Sequence, residues 1–317
     1  MKDLDPEQYA EAANHYIDPM AIEPKRLMQI ATVASMSVAL MLIGAKTVAW
    51  LLTESVSMLS SLVDSALDLV ASLVTFFAVR QALIPADADH RFGHGKAEAL
   101  AGLVQAGFIA ASGGGLLLTV GDRLLHPHPV QREALGLAIS ALAVVLTLAL
   151  VTFQNYVVRR SGSLAIGADR AHYVTDLVSN IAVGVALYLS GILDQPLIDA
   201  AMAALVALYL VYGAWQVGRD SLDVLMDREL PAADRDRIVA IARCNPAVRE
   251  VHDLRTRSAG LTRFIQLHIE LDPDLTLMRA HEIGDQVEAG IREVFPDAEV
   301  ILHVDPFGIA EQQPTFV

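Results

Sequence analysis

Cysteine is almost absent from this chain: Cys244 is the only one in 317 residues. A single thiol excludes an internal disulfide and a thiolate zinc cluster, so Cys244 reads as a small buried hydrophobe in a helix. Basic residues are scarce as well. There are 23 Lys and Arg against 37 Asp and Glu, a formal net charge of −14. From Asp227 onward the chain has 10 Arg, no Lys and 17 Asp and Glu, so half of the net charge lies there. So acidic a region offers no basic footprint for phosphates, which excludes nucleic acid as a partner. The stretch from Met1 to Pro24 lacks an apolar segment beside an early basic cluster. It does not fit a cleaved signal peptide and is expected to be a cytoplasmic tail, partly disordered.

What the chain has in abundance is apolar sequence, 54% of all residues with a mean hydropathy of +0.43. Six long apolar segments point to membrane spans. They cover about Leu27–Leu52, Val56–Arg80, Ala99–Leu125, Leu135–Val158, Leu164–Leu189 and Pro196–Val217, the last continuing to Met226. The fourth is the most uniformly apolar and is expected to be the most exposed to lipid. Gly113, Gly114 and Gly115 in the third would let a neighbouring helix approach closely. Loop charges set the orientation. Lys25, Arg26, Arg80, Arg91, Lys96, Arg159, Arg160, Arg219 and Arg228 lie on one side, and only Arg123 and Arg132 on the other. By the positive-inside rule both termini are cytoplasmic. Expected divisions are a tail at 1–24, a six-helix membrane domain at 25–226, a cytoplasmic domain at 227–306 and a tail at 307–317.

The second segment carries Asp64 and Asp68 four residues apart. Each carboxylate in the middle of a span costs about 2.5–3.5 kcal/mol on insertion scales. Their spacing places them on one helix face, where they repel each other unless protons or a cation intervene. A polar contact inside a helix bundle is the competing reading. The fifth segment carries His172 and Asp176 at the same spacing and comparable depth, together with Asp169. If the two helices face each other, Asp64, Asp68, His172 and Asp176 form a four-ligand N/O site of the kind that suits tetrahedral zinc. Without sulfur, such a site also admits Fe(II), Cd(II), Co(II) or Mn(II).

Two further groups follow. Asp87, His90 and His94 lie in the loop after the second segment, where they read either as ligands of one metal or as a solvated turn. Beyond Leu230 the pattern changes to α-β-β-α-β. The sequence predicts a helix at Ala232–Ala242, strands at Glu250–Arg257 and Thr262–Leu271, a helix at Leu275–Phe295 and a strand at Glu299–Val304. This is a small α+β sandwich with helices on one sheet face. Alternation puts Ile265, Leu267, Ile269 and Leu271 in the core, and His268, His303 and Asp305 on the uncovered face. His252 begins the neighbouring strand, and His281 borders the apolar stripe of the long helix. Scattered surface histidines are the competing reading. A metal-bridged dimer is the alternative that this face suggests.

The spacings Asp64-x3-Asp68 and His172-x3-Asp176, the loop run Asp89–Glu98 and the run His252–Arg257 together resemble the cation diffusion facilitators. Within that family they are most similar to bacterial zinc and ferrous-iron efflux proteins. The resemblance spans about residues 25 to 306. It implies a homodimeric transporter of the bacterial inner membrane, not an enzyme, that exchanges cytoplasmic Zn(II) for periplasmic protons. It makes Asp64, Asp68, His172 and Asp176 the transport site, and Asp87, His90 and His94 a loop site. His252, His268, His281, His303 and Asp305 become a binuclear cytoplasmic site, and Lys96–Asp227 a salt bridge joining the membrane part to the tail domain. His15, His126 and His128 receive no role. A Mn(II)- or Fe(II)-specific carrier, a proton-coupled exporter of organic cations and a membrane-anchored metal sensor are the other readings of the same residues.

Overall fold

The computed structural model describes residues 19–54, 56–125, 134–193 and 197–309. His15, His126, His128 and Arg132, with most of the N-terminal tail and the residues after 309, lie outside the described residues. The chain divides into two compact units. One comprises residues up to Pro85 together with Ala97–Ser221; the other comprises Ala86–Lys96 and residues from Leu222 onward. The loop with Asp87, His90 and His94 therefore belongs to the same unit as the C-terminal domain.

Long helices build the first unit: α1 (Pro19–Thr53), α2 (Val56–Ala82), α3 (Ala97–Leu125), α4 (Ala134–Ser161), α5 (Leu164–Leu193) and α6 (Leu197–Leu225). The shortest has 27 residues, about 40 Å at 1.5 Å per residue, and so reaches across a hydrocarbon core. Among the described residues, five of the six are long and apolar enough to cross a membrane by length and composition. The sixth, α5, is the one that carries Asp169, Arg170, His172 and Asp176. The expectation that the fourth span is the most exposed is not met. In the apolar window of α6 22% is buried, against 28% for α4, among the described residues. The reason is that α4 packs through Leu150, Gln154 and Val157, all buried, whereas α6 leaves Leu205, Leu208, Tyr212 and Trp215 exposed.

Only one glycine of the run in α3 brings a helix close. A Cβ at Gly113 would lie 3.2 Å from Leu210 Cβ of α6, whereas Gly114 and Gly115 face open space. About three turns earlier in α3 the fit is tighter, since a Cβ at Gly102 would meet Ser221 Oγ at 2.2 Å. The start of α5 is fixed by Glu98. Its carboxylate accepts from Ser163 Oγ at 2.5 Å and from the Ala165 amide at 3.2 Å, a negative charge on the positive end of a helix.

At the centre of the helical unit stands Asp169, with 0% of its surface exposed. It accepts hydrogen bonds from Ser35 Oγ of α1 at 2.7 Å, Gln154 Nε2 of α4 at 2.7 Å and Gln105 Nε2 of α3 at 3.2 Å. Gln105 also donates to Ala71 O and Thr75 Oγ1 of α2, so five helices meet at one carboxylate. One turn on, Tyr173 shares a 2.8 Å hydrogen bond with Ser72.

In the second unit, α7 (Ala232–Arg243), β1 (Glu250–Ala259), β2 (Thr262–Leu271), α8 (Leu277–Val294) and β3 (Ala298–Pro306) follow the expected order. The sheet order is β1-β2-β3, with β1 antiparallel and β3 parallel to β2. Parallel pairing is forced by α8, which carries the chain back across the sheet. The first strand of the hairpin runs two residues further than the sequence predicts, because Ala259 pairs with Thr262 and leaves a two-residue turn, while the second has the expected bounds. Gly260 (φ +60°) takes its first central position, as type II′ geometry needs. The long helix begins two residues later than expected, because the Thr276 hydroxyl accepts from the Arg279 amide as its N-cap. The core joins Ile265, Leu267, Ile269 and Leu271 to Ile283, Val287 and Ile291 of α8 and Ile238 of α7. Burying each such side chain contributes about 1.5–3 kcal/mol.

Candidate metal sites

Helix phase carries Asp68 of α2 and both His172 and Asp176 of α5 to one point. His172 Nε2 lies 3.2 Å from Asp68 Oδ1 and 3.6 Å from Asp176 Oδ2. One ligand atom from each of the three lies within 4.8 Å of the others. Ligands on a tetrahedral metal with 2.0–2.1 Å bonds sit ~3.4 Å apart, so these edges already fit. The imidazole is buried between Phe108 and Tyr173, whose rings meet it edge-on at 6.3 and 5.9 Å. Two polar atoms are buried here without a hydrogen-bond partner, His172 Nδ1 and Asp176 Oδ2. Unpartnered buried polar atoms are costly, and here they belong to two of the three residues whose ligand atoms cluster. Asp64, one turn before Asp68 on the same helix, is exposed and lies outside this three-residue group.

In the loop, Asp87 organises a turn. Its Oδ1 accepts from the amides of His90 at 2.7 Å and Asp89 at 3.0 Å. The His90 amide above all holds this carboxyl below the usual range; desolvation, the next effect, opposes it, and the Asp89 amide and the nearby imidazoles add to the lowering. His90 Nδ1 and His94 Nε2 each stand 3.5 Å from one of its oxygens, with the two rings 4.5 Å apart. The loop is held to the sheet. A Cβ at Gly95 would lie 2.1 Å from Ala259 O, so only glycine fits there. Phe92 meets Phe264 edge-on at 5.6 Å, with the Arg257 guanidinium 4.8 Å above the Phe92 ring. Lys96 Nζ reaches Asp227 Oδ1 at 2.8 Å, and Arg257 joins the same carboxylate at 3.3 Å. Burial raises the Asp227 carboxyl, but the Lys96 bond and charge and then Arg257 outweigh it and hold it below its ordinary value.

On the sheet face opposite the core, register does the assembling. His252 pairs across from His268, and His268 from His303, while Glu270 stands beside Asp305. Asp305, only 4% exposed, is the hub. His268 Nδ1 lies 2.8 Å and His252 Nε2 3.5 Å from its Oδ2, and His303 Nε2 lies 3.0 Å from Oδ1. His252, His268 and Asp305 form a ligand group within 4.8 Å, and His252 Nδ1 is buried without a partner. Such a donor set fits a borderline divalent metal. His281 is not brought in: it pairs with Asp285 at 3.6 Å, its side chain 69% exposed, on the helix that covers the other sheet face. Two acids not singled out from sequence border the group. Glu270 Oε1 is 3.5 Å from His252, and Asp253, in a left-handed backbone conformation (φ 44°), is 3.7 Å from His268. The His-Asp pairing at 252–253 was the available signal; the β1 irregularity after His252 that turns Asp253 inward was not visible.

The cation efflux transmembrane domain profile matches residues 32–226, and the cation efflux cytoplasmic domain profile matches residues 230–307. The chain is 47% identical over 279 residues to the cation-efflux pump FieF of Shewanella oneidensis, covering 88% of this chain and 94% of that one. It is 44% identical over 293 residues to FieF of Klebsiella pneumoniae, covering 92% and 97%. The metal-bound C-terminal domain of the CzcD transporter from Thermotoga maritima aligns at 31% identity with a TM-score of 0.24, covering 25% of this chain and 93% of that one. With both halves matched, the chain belongs to the cation diffusion facilitator family of multi-pass cation-efflux proteins.

Proposed function

We infer that this cation-efflux protein exports Zn(II) from the cytoplasm by exchange for protons, with Asp64, Asp68, His172 and Asp176 as the transport site. The observation that carries the reading is the Asp68–His172–Asp176 group, assembled in mid-helix from α2 and α5 with an unpartnered buried carboxylate oxygen. A metal and protons compete for the same carboxylate and imidazole atoms, so binding one releases the other. Facing the cytoplasm, the deprotonated site loads metal. Facing a more acidic exterior, His172 and the aspartates take up protons and let it go. Asp64 completes the four-ligand set when α2 shifts against α5, the movement that alternating access requires. The absence of sulfur leaves Fe(II), Cd(II) and Mn(II) as rival substrates, and the same geometry serves them.

In the cytoplasmic domain a bound metal would be held by His252, His268 and Asp305, with His303 beside them. There it would neutralise the acid and imidazole cluster and stiffen the sheet face. His281 becomes a ligand in a binuclear arrangement of a homodimer, and filling of this domain when cytoplasmic metal rises favours the transporting state. Both termini are cytoplasmic, as the loop charges indicate, and the membrane is the bacterial inner membrane, as the similarity to bacterial cation-efflux pumps implies.

The test is Zn(II) flux into proteoliposomes under an imposed pH gradient. The intact protein moves zinc with the gradient, and Asp68→Ala loses the activity by about 100-fold or more, as loss of a metal ligand requires. Equal flux in both would reduce the carboxylate pair to a structural role and leave metal binding to the cytoplasmic domain alone.

A further inference from the structure

Within the apolar run of α1 from Leu27 to Leu52 the only charge is Lys46. An ammonium at such depth is expensive unless something answers it. It does not hang free. Lys46 Nζ donates to Ser65 Oγ at 2.6 Å and to Ser61 O at 3.0 Å, both on α2. Ser65, wholly buried, follows Asp64 directly and precedes Asp68 by three residues, so the ammonium is seated on the turn that carries the paired carboxylates. Ser61, Ser65 and Asp68 recur at i, i+4 and i+7, one face of α2, so the ammonium rests on the face that carries Asp68. The hydrogen bonds anchor the cation from a helix that supplies no ligand, and an amine so occupied by Ser61 and Ser65 is placed to act by its charge.

We propose that Lys46 is the built-in counter-ion of the transport site, a positioning residue that sets the site's charge so that a dication is held loosely enough to leave. This inference rests on the transport-site assignment above. Three carboxylates and a neutral imidazole carry −3; with Lys46 the site carries −2, and a divalent metal brings it to zero. Without Lys46 the loaded site would keep a net negative charge in a low-dielectric surrounding, and its grip on the metal would be tighter. A carrier needs the opposite balance, binding strong enough to load and weak enough to release.

The experiment is the zinc dependence of flux in proteoliposomes for the intact protein, Lys46→Gln and Lys46→Arg, with the loading side at pH 8 so that protons compete least. Glutamine removes the charge and keeps an amide donor, one atom shorter than the lysine, on the side of Ser61 and Ser65. For Lys46→Gln, KM and kcat are both expected to fall by roughly tenfold, from one lost charge acting at short range. Lys46→Arg should restore both to within about threefold, because it restores the charge. A merely structural lysine would instead lower kcat and the amount of folded protein without lowering KM, and that result would overturn the proposal. So would unchanged KM and kcat in Lys46→Gln. Asp68→Ala in the same series separates the two readings. If it keeps full flux the transport site itself is misplaced; if it is dead while Lys46→Gln is normal, only the counter-ion role fails.

Discussion

Two turns of the same helix hold acids in opposite conditions. At Asp169 a carboxylate is sealed from solvent and answered by the hydroxyl of Ser35 and the amides of Gln154 and Gln105. At His172 and Asp176, three and seven residues further along α5, buried nitrogen and oxygen atoms are left without partners. The first arrangement satisfies the carboxylate and ties five helices together, leaving only the amide oxygens of Gln105 and Gln154 without partners; the second leaves the ligand atoms themselves in reserve. A buried acid is therefore not by itself a sign of function. What separates the two is whether the fold has already supplied the hydrogen bonds.

The sharpest way to break this comparison is to exchange the effects of the two positions. Asp176→Asn should abolish gradient-driven zinc flux, by about 100-fold or more, while thermal unfolding in detergent stays the same or improves, since a crowded negative charge is removed. Asp169→Ala should do the reverse, costing about 1–3 kcal/mol of stability through orphaned donors, with flux per folded protein reduced far less. If Asp169→Ala were the dead transporter and Asp176→Asn the unstable one, the distinction drawn here would be inverted.

The comparison extends with a smaller effect to the sheet face of the second unit, where His268, His303 and Asp305 again leave ligand atoms clustered. Replacing both His268 and His303 by alanine should leave flux at saturating zinc within about twofold of the intact protein. It should flatten the rise of flux with zinc at lower concentrations, a modest loss for a site outside the transport path. Unaltered metal dependence in that double variant would remove the regulatory role.

The smallest effect concerns a fully answered charge. Because Asp227 is held below its ordinary carboxyl value, its contribution to stability is present above pH ~3.9 and is lost only as pH falls through the lower folded value. Asp227→Asn should lower the unfolding temperature slightly and by a constant amount from pH 8 to pH 5. The difference from the intact protein should close below about pH 4. A difference that instead changed around pH 6 to 7 would show that another group than Asp227 is titrating.

Much of this was legible in the residues. The spacing of Asp64 with Asp68 and of His172 with Asp176 follows from helix periodicity, and alternation along β2 sorted Leu267 from His268. Other features depend on how elements meet, which periodicity does not encode. That Asp68 and not Asp64 reaches His172 is decided by the crossing of α2 and α5. That Asp169 is structural was hidden because its donors come from positions 35, 105 and 154, far apart in the chain. Nothing in its sequence context distinguishes His281 from the other histidines; its helix α8 covers the opposite side of the sheet. The loop 86–96 sits with the C-terminal unit because Gly95 leaves room for Ala259 O, a tolerance of ångströms that no composition reveals.

The parallel register of β3 has a consequence for the order of events in synthesis. Asp305, the hub of the cytoplasmic group, lies on a strand that can join the sheet only after α8 has been made. The ligands of the membrane group are all translated by Asp176. A nascent chain thus completes the three-residue membrane group while the cytoplasmic cluster is still missing its central carboxylate. On the function proposed above, the means to carry a metal are made before the means to sense one.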